Sequence, residues 1–179
     1  GAFNPFTQGV SDIATVELTS DFDTGYGFNV GILHKVNPSF SWGLSYRSAI
    51  DVDYGGEARF TQIPTGYAQF DAAVSRMLPF GGPTPVETAI DFPEMASLGF
   101  AFTLSPAFLF EIDANWTGWS SFESLPLAFP DEPALDDTVP QNFEDAYNYR
   151  IGFQWTISPV QQWRFGYVYD ETPQPERHV

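Results

Sequence analysis

Along most of this chain, large apolar side chains alternate with small or polar ones at a period of two. Between positions 40 and 54 the even places hold Phe40, Trp42, Leu44, Tyr46, Ser48, Ile50, Val52 and Tyr54, while the odd places hold Ser41, Gly43, Ser45, Arg47, Ala49, Asp51 and Asp53. Successive side chains on a pleated strand point to opposite faces, so this spacing sorts residues by face only if the segment is extended. A helix would mix the two sets on every turn. The same separation recurs at 26–36, 90–104, 108–118, 147–157 and 163–170, with a weaker instance at 13–19. About seven strands are expected, in an all-β, antiparallel arrangement.

Strand length and loop placement assign the faces. Strands of soluble domains average about 5–6 residues, whereas a tilted strand needs about 9–11 to cross a bilayer. The alternations at 40–54 and 90–104 exceed the soluble average by far. Their polar faces are rich in Gly, Ser, Ala and Thr, which suit a crowded barrel interior better than a water-facing sheet. Tyr26, Trp42, Tyr54, Trp116, Tyr147 and Trp163 fall near strand ends, as interfacial girdles do. The connections at 36–39, 104–107 and 158–162 are short, and those at 61–87 and 121–144 are long. Short and long alternate, so the long ones share one side, as in outer-membrane barrels. The expected fold is therefore an antiparallel transmembrane β-barrel, here an incomplete wall with a short helix in an external loop.

Composition agrees. Aromatics make up 17% of the residues, high for a soluble domain and suited to contact with lipid. No apolar run approaches the roughly 18 residues of a membrane helix. The net charge of −16, from 23 acidic and 7 basic residues, excludes a nucleic-acid footprint. The acids concentrate at Asp21-Phe22-Asp23 and over 131–137. They are read as solubilising loops, with loose calcium binding as the alternative, although neither segment has the spacing of an EF-hand. There is no Cys, so disulfide, thiolate and zinc-thiolate chemistry are excluded. No signal peptide opens the sequence at Gly1, so it is expected either to have been removed or to lie upstream in a longer chain.

One helix is expected inside the first long loop. Phe70, Ala73, Val74 and Met77 recur at helical spacing between Pro64 and Pro79. Such a helix must bury its apolar face, either on the barrel rim or as the wall of a greasy ligand groove.

Five short motifs resemble the long-chain fatty acid transporter family, the FadL-type outer-membrane proteins. Tyr46-Arg47-Ser48 resembles that family's Tyr-Arg-Ser, and Phe92-Pro93-Glu94 its Leu-Pro-Glu. Trp116-Thr117-Gly118-Trp119-Ser120-Ser121-Phe122 resembles W-x-x-W-S-x-F, and Tyr149-Arg150-Ile151-Gly152 resembles Y-R-I-G. Arg164-Phe165-Gly166, Tyr169-Asp170 and Thr172-Pro173-Gln174-Pro175 resemble R-x-G, then Y/F-D-x-[ST]-P-x-P. The motifs stand in the family's order, and the resemblance covers about residues 13–175. The resemblance implies a barrel of about 14 strands plugged by an N-terminal hatch, in the outer membrane of a Gram-negative bacterium among lipid and lipopolysaccharide, and monomeric when complete. It implies passive uptake of a hydrophobic ligand, caught by external loops and released through a lateral opening. Residues 1–179 would then be one partial barrel domain, without the hatch and the later strands, and ending in an external loop at 177–179.

Lys35, Arg47, Arg150 and Arg164 share the polar face with Asp51, Asp53, Glu111, Asp113 and Asp170. Inward placement is expected, because an Arg facing lipid at mid-membrane costs roughly 2–4 kcal/mol. These charges are read as ion pairs and hydrogen bonds between strands, or as sites for a ligand's carboxylate, which a guanidinium suits geometrically. The candidate ligand-binding residues are Arg47, Arg150 and Arg164 on the wall, and Phe70, Val74 and Met77 on the loop. No catalytic set converges by strand phase, no metal-ligand spacing is present, and no cofactor is implied. Long-chain fatty acids are the expected ligand, with aromatic hydrocarbons as the rival class. A structural or adhesive barrel would lack an apolar pocket at 70–78. A soluble lipid-binding β-protein would bury the aromatic face.

Overall fold

The computed structural model describes residues 2–4 and 9–175; Arg177, His178 and Val179, read above as the end in a loop, lie outside them. The strands in chain order are β1 (Ala2–Asn4), β2 (Gly9–Ser11), β3 (Ala14–Ser20), β4 (Asn29–Asn37), β5 (Phe40–Arg47) and β6 (Ile50–Gln62). After helix α1 (Ala68–Val74) come β7 (Pro83–Phe92), β8 (Met95–Ser105), β9 (Phe108–Thr117), β10 (Ser124–Leu127), β11 (Asp137–Pro140), β12 (Ala146–Ser158) and β13 (Gln161–Asp170). The chain divides into two compact units. One is built from the chain up to Thr24, Asp53–Ala89 and Pro126–Val139; the other from Gly25–Val52, Ile90–Leu125 and the chain from Pro140 onward.

The second unit is a six-stranded antiparallel sheet in the order β13-β12-β9-β8-β5-β4. Its register keeps one parity across all six strands. One row crosses all six strands as Leu33, Gly43, Gly99, Asp113, Arg150 and Val168. Its neighbour on the same face runs Gly31, Ser45, Ser97, Asn115, Asn148 and Asp170. Between them, on the opposite face, lie Ile32, Leu44, Leu98, Ala114, Tyr149 and Tyr169. The aromatic face is open rather than packed: Tyr167 is 67% exposed and Ile32 58%. Its rings stack across strands, as Phe102 on Phe40 at 5.0 Å and Phe108 on Phe153 at 5.5 Å. A contiguous exposed apolar face of this kind marks a surface that meets lipid or a partner. The two outer strands, β4 and β13, leave the wall unclosed.

Three tight turns join the hairpins β4–β5, β8–β9 and β12–β13, and Pro38, Pro106 and Pro159 open them. Proline presets the backbone angle that the first turn position requires. Asn37 Oδ1 accepts the Ser39 N–H at 2.8 Å, and Ser105 Oγ accepts the Ala107 N–H at 3.2 Å. The register shifts by one residue at each turn, between Lys35 and Asn37, Thr103 and Ser105, and Thr156 and Ser158.

Two expected strands are each interrupted. The alternation at 40–54 breaks at Ser48 and Ala49 into β5 and β6, which belong to different sheets. Ser48 is held by residue 28 instead of by a continuing ladder: its N–H donates to the Phe28 carbonyl at 3.0 Å, and its Oγ accepts the Phe28 N–H at 2.9 Å. Gly27 permits this approach, since a Cβ there would lie 2.6 Å from Ile50 Cγ1. The alternation at 90–104 breaks at Pro93, which has no N–H to donate, into β7 and β8.

The first unit holds the three-stranded sheet β3-β6-β7. The expected loop at 61–87 is shorter than its limits, because β6 runs to Gln62 and β7 starts at Pro83. In β7, Thr84 and Val86 are buried while Pro83, Pro85 and Glu87 are exposed, a short period-two pattern. Ala58, Phe60, Val86 and Phe129 form a small core, with Leu78, Phe80, Leu127 and Leu135 packed around it. The second long loop is likewise not structureless, since it contributes β10 and β11, which pair with each other.

Ile112 sits midway along β9 on the aromatic face, and Ser97 on the other face. Ile112→Arg in the full-length protein is expected to lower bilayer-folded stability by roughly 2–4 kcal/mol, and Ser97→Arg by less than about 1 kcal/mol. Denaturant titration in vesicles measures both; equal losses would overturn the assignment of faces.

Candidate functional site

The polar face of the six-stranded sheet brings together all three candidate arginines of the wall. Arg47 ends β5, Arg150 lies in β12 and Arg164 in β13, and each guanidinium donates to an amide oxygen. Arg47 Nε reaches Asn29 Oδ1 at 3.0 Å, Arg150 Nε reaches Asn148 Oδ1 at 2.7 Å, and Arg164 Nε reaches Gln154 Oε1 at 2.9 Å. A further bond joins an Arg164 terminal nitrogen to Gln162 Oε1 at 3.3 Å. The wall is thus cross-linked by amides where ion pairs were one expectation. Among the described residues, the terminal nitrogens of Arg47 and Arg150 have no hydrogen-bond partner in the protein.

Asn148 is the hub of this network. Besides accepting from Arg150, it donates to Asp170 Oδ1 at 2.8 Å and accepts a long bond of 3.4 Å from Asn115. Its neighbours in the row diminish to Ser97, Ser45 and Gly31, so the face sinks toward β4 and β5. There a concavity of about 370 Å³ opens over Gly31, Gly43 and Gly99, with Asp113, Asn115 and Arg150 on its border. A second, of about 450 Å³, is bounded by Asn29, Ser45, Arg47 and Ser97. Arg47 and Arg150 therefore each edge a hollow of the polar face, whereas Arg164 lines neither.

The end of the sheet opposite the tight turns is tied by a different set of groups. The Tyr46 hydroxyl donates to Glu94, whose carbonyl accepts the Gly118 N–H at 3.0 Å. The Trp116 indole N–H donates to Asp145 Oδ2 at 3.0 Å, and the Ser120 N–H to Asp145 Oδ1 at 3.0 Å. Trp119 and Phe122 close on Phe143 at 5.8 and 5.7 Å. The motif residues Tyr46, Glu94, Trp116, Trp119, Ser120 and Phe122 thus hold strand ends to loops. Sequence reading located Trp116 in a girdle, but not Asp145 as its partner, since that pairing depends on register.

The loop candidates separate. Helix α1 spans Ala68–Val74 and stops short of Met77, which is 72% exposed, while Val74 is 2% exposed and Phe70 half-buried. Val74 is packing, Phe70 is partly available, and Met77 is largely exposed to solvent. Asp71 steadies the loop by accepting the Thr65 N–H at 2.9 Å and its hydroxyl at 2.6 Å, and these bonds hold its carboxyl below the ordinary range. Asp21, Asp23, Asp53 and Glu87 border a hollow of about 630 Å³ in this first unit. Among the described residues, no group of three or more His, Cys, Asp or Glu is placed to hold a metal ion.

The Ser120 hydroxyl and N–H, and then the Trp116 indole, hold the Asp145 carboxyl below its ordinary 3.8. A depressed carboxylate contributes stability that is present above the ordinary value and lost as pH falls through the lowered one. Exchange of the Trp116 indole proton is therefore expected to gain extra acceleration as pH falls below the ordinary carboxylate value and through the lowered one, and Asp145→Asn should remove that extra acceleration. An unchanged acid profile in the variant would overturn the role given to Asp145.

Over residues 3–179 the sequence matches the family described as "Outer membrane protein transport protein (OMPP1/FadL/TodX)". It is 26% identical over 175 residues to the long-chain fatty acid transport protein of Escherichia coli O6:H1, covering 94% of this chain and 38% of that protein. Its fold is similar to that of a FadL homologue of Pseudomonas aeruginosa, with a TM-score of 0.69 at 20% identity, covering 83% of this chain and 34% of the other. It is also similar to the toluene transporter TodX of Pseudomonas putida, with a TM-score of 0.61 at 20% identity, covering 86% and 37%. The chain thus spans about 38% of the length of the fatty acid transport protein it matches.

Proposed function

The chain belongs to this family of outer membrane transport proteins, as part of a Gram-negative outer-membrane β-barrel, and we propose that the whole protein passively takes up long-chain fatty acids or similar hydrophobic molecules. Residues 1–179 act as one partial barrel domain of that protein. External loops capture the ligand, the lumen passes it on, and a lateral opening releases it. On the loop, Met77 and Phe70 contribute apolar contact, while Val74 holds the helix in place.

The observation that carries the reading is the pair of arginines edging hollows of the polar face, their terminal nitrogens without a partner among the described residues. A guanidinium that has already spent its Nε on an amide still offers two planar donors, and a carboxylate is the acceptor that matches them. Arg47 and Arg150 are accordingly the residues assigned to the ligand's head group, ahead of Arg164, whose fork is engaged by two glutamines. A second reading, uptake of aromatic hydrocarbons, draws on the similarity to the toluene transporter. A hydrocarbon offers no acceptor to an arginine, so the two readings differ in what the arginines do.

Palmitate and hexadecanol distinguish them in the full-length protein. Arg47→Ala or Arg150→Ala is expected to weaken palmitate binding about tenfold, the scale of one charged hydrogen bond, and to leave hexadecanol binding as it was. Unchanged palmitate affinity in both variants would overturn the assignment, and toluene binding indifferent to both would favour the hydrocarbon reading.

A further inference from the structure

Arg150 and Asp113 are direct cross-strand partners on one face, β12 against β9, with opposite charges. Neighbours so placed stand close enough to pair. Yet among the described residues no ion pair joins them. Two features of the same rows account for the separation. Asn148 Oδ1 takes the Arg150 Nε–H at 2.7 Å and draws the guanidinium along β12 toward the next row. On the other side, Asp113 faces Gly99 of β8, and its carboxylate lies in the space that a Cβ on Gly99 would occupy. The missing side chain lets the acid lean away from the base.

We propose that Asn148 and Gly99 are positioning residues that keep Arg150 from being neutralised by Asp113, so that its terminal nitrogens stay available to a ligand's carboxylate. The inference rests on the ligand-binding role given to Arg150 above, and adds how that role survives beside an acidic neighbour. Gly99 sits in ordinary extended backbone within β8, so a methyl group there strains nothing in the main chain. Its effect is to displace the Asp113 carboxylate, the far end of a mobile side chain, toward its other row partner, Arg150. Removing the Asn148 amide instead frees the guanidinium to turn toward Asp113. Either change converts a ligand-binding group into an internal ion pair.

The test uses the full-length protein with palmitate and hexadecanol as probes. Gly99→Ala and Asn148→Ala are each expected to weaken palmitate binding about tenfold more than they weaken hexadecanol binding. Adding Asp113→Asn to Gly99→Ala removes the competing charge and should restore palmitate binding, a rescue that a merely structural role for Gly99 would not produce. Heat-modifiable gel mobility verifies that each variant is folded; if Asn148→Ala does not fold, Gly99→Ala with its rescue decides the matter alone. Three outcomes overturn the proposal: palmitate affinity unchanged in the folded variants, equal loss of both probes, or no rescue by Asp113→Asn. If Arg150→Ala weakens palmitate while Gly99→Ala and Asn148→Ala do not, only this inference fails. If Arg150→Ala has no effect, the underlying assignment of Arg150 fails with it.

Discussion

Hydrocarbon offers no water to a peptide group, so in a bilayer every backbone N–H and C=O must find its partner in the neighbouring strand. That demand fixes the register, because strands that pair along their whole length have no slack to slide. In the six-stranded sheet the register is continuous from Asn29 opposite Arg47 to Asn148 opposite Asp170. A slip of one residue would turn the tyrosines of β12 and β13 inward and Arg150 outward into lipid, so the faces stay distinct because every strand obeys one parity.

Chemistry follows from this parity. Rows running across the wall juxtapose residues far apart in the chain, such as Gly43, Gly99, Asp113 and Arg150. Within a row, side-chain size decides the relief of the surface. Where glycine and serine stack, the face recedes into a hollow; where asparagine and arginine stack, it rises into a network of amide contacts. Hollow and donor lie side by side for the same reason that the rows exist.

Much of this was legible in the chain. Parity alone sorted Phe102, Phe110 and Trp155 from Ser97, Asp113 and Arg150, and the Asn37-Pro38 and Ser105-Pro106 pairs announced the tight turns. The ends of strands were less visible. Ser48 keeps the alternation in phase on both sides of the break, so nothing in the pattern betrays that its backbone turns to Phe28. The segment 83–87 is rich in proline and short in apolar residues, which hides a strand edge inside a loop. Helical spacing carried the reading on to Met77, although the helix ends at Val74. Positions of the arginines were predictable, but their partners Asn29, Asn148 and Gln154 were not. Parity says which face a residue occupies and only register says whom it meets.

The three proline-led turns give the wall a modular kinetics. Within each of the pairs β4–β5, β8–β9 and β12–β13 the partners are neighbours in sequence, so zipping a hairpin closes only a tiny loop. The joins β5–β8 and β9–β12 must instead span the long insertions. Hairpins can therefore form first and dock afterwards, and the length of each insertion weighs on docking alone. A chain organised this way can remodel its long insertions without retiming the formation of its wall.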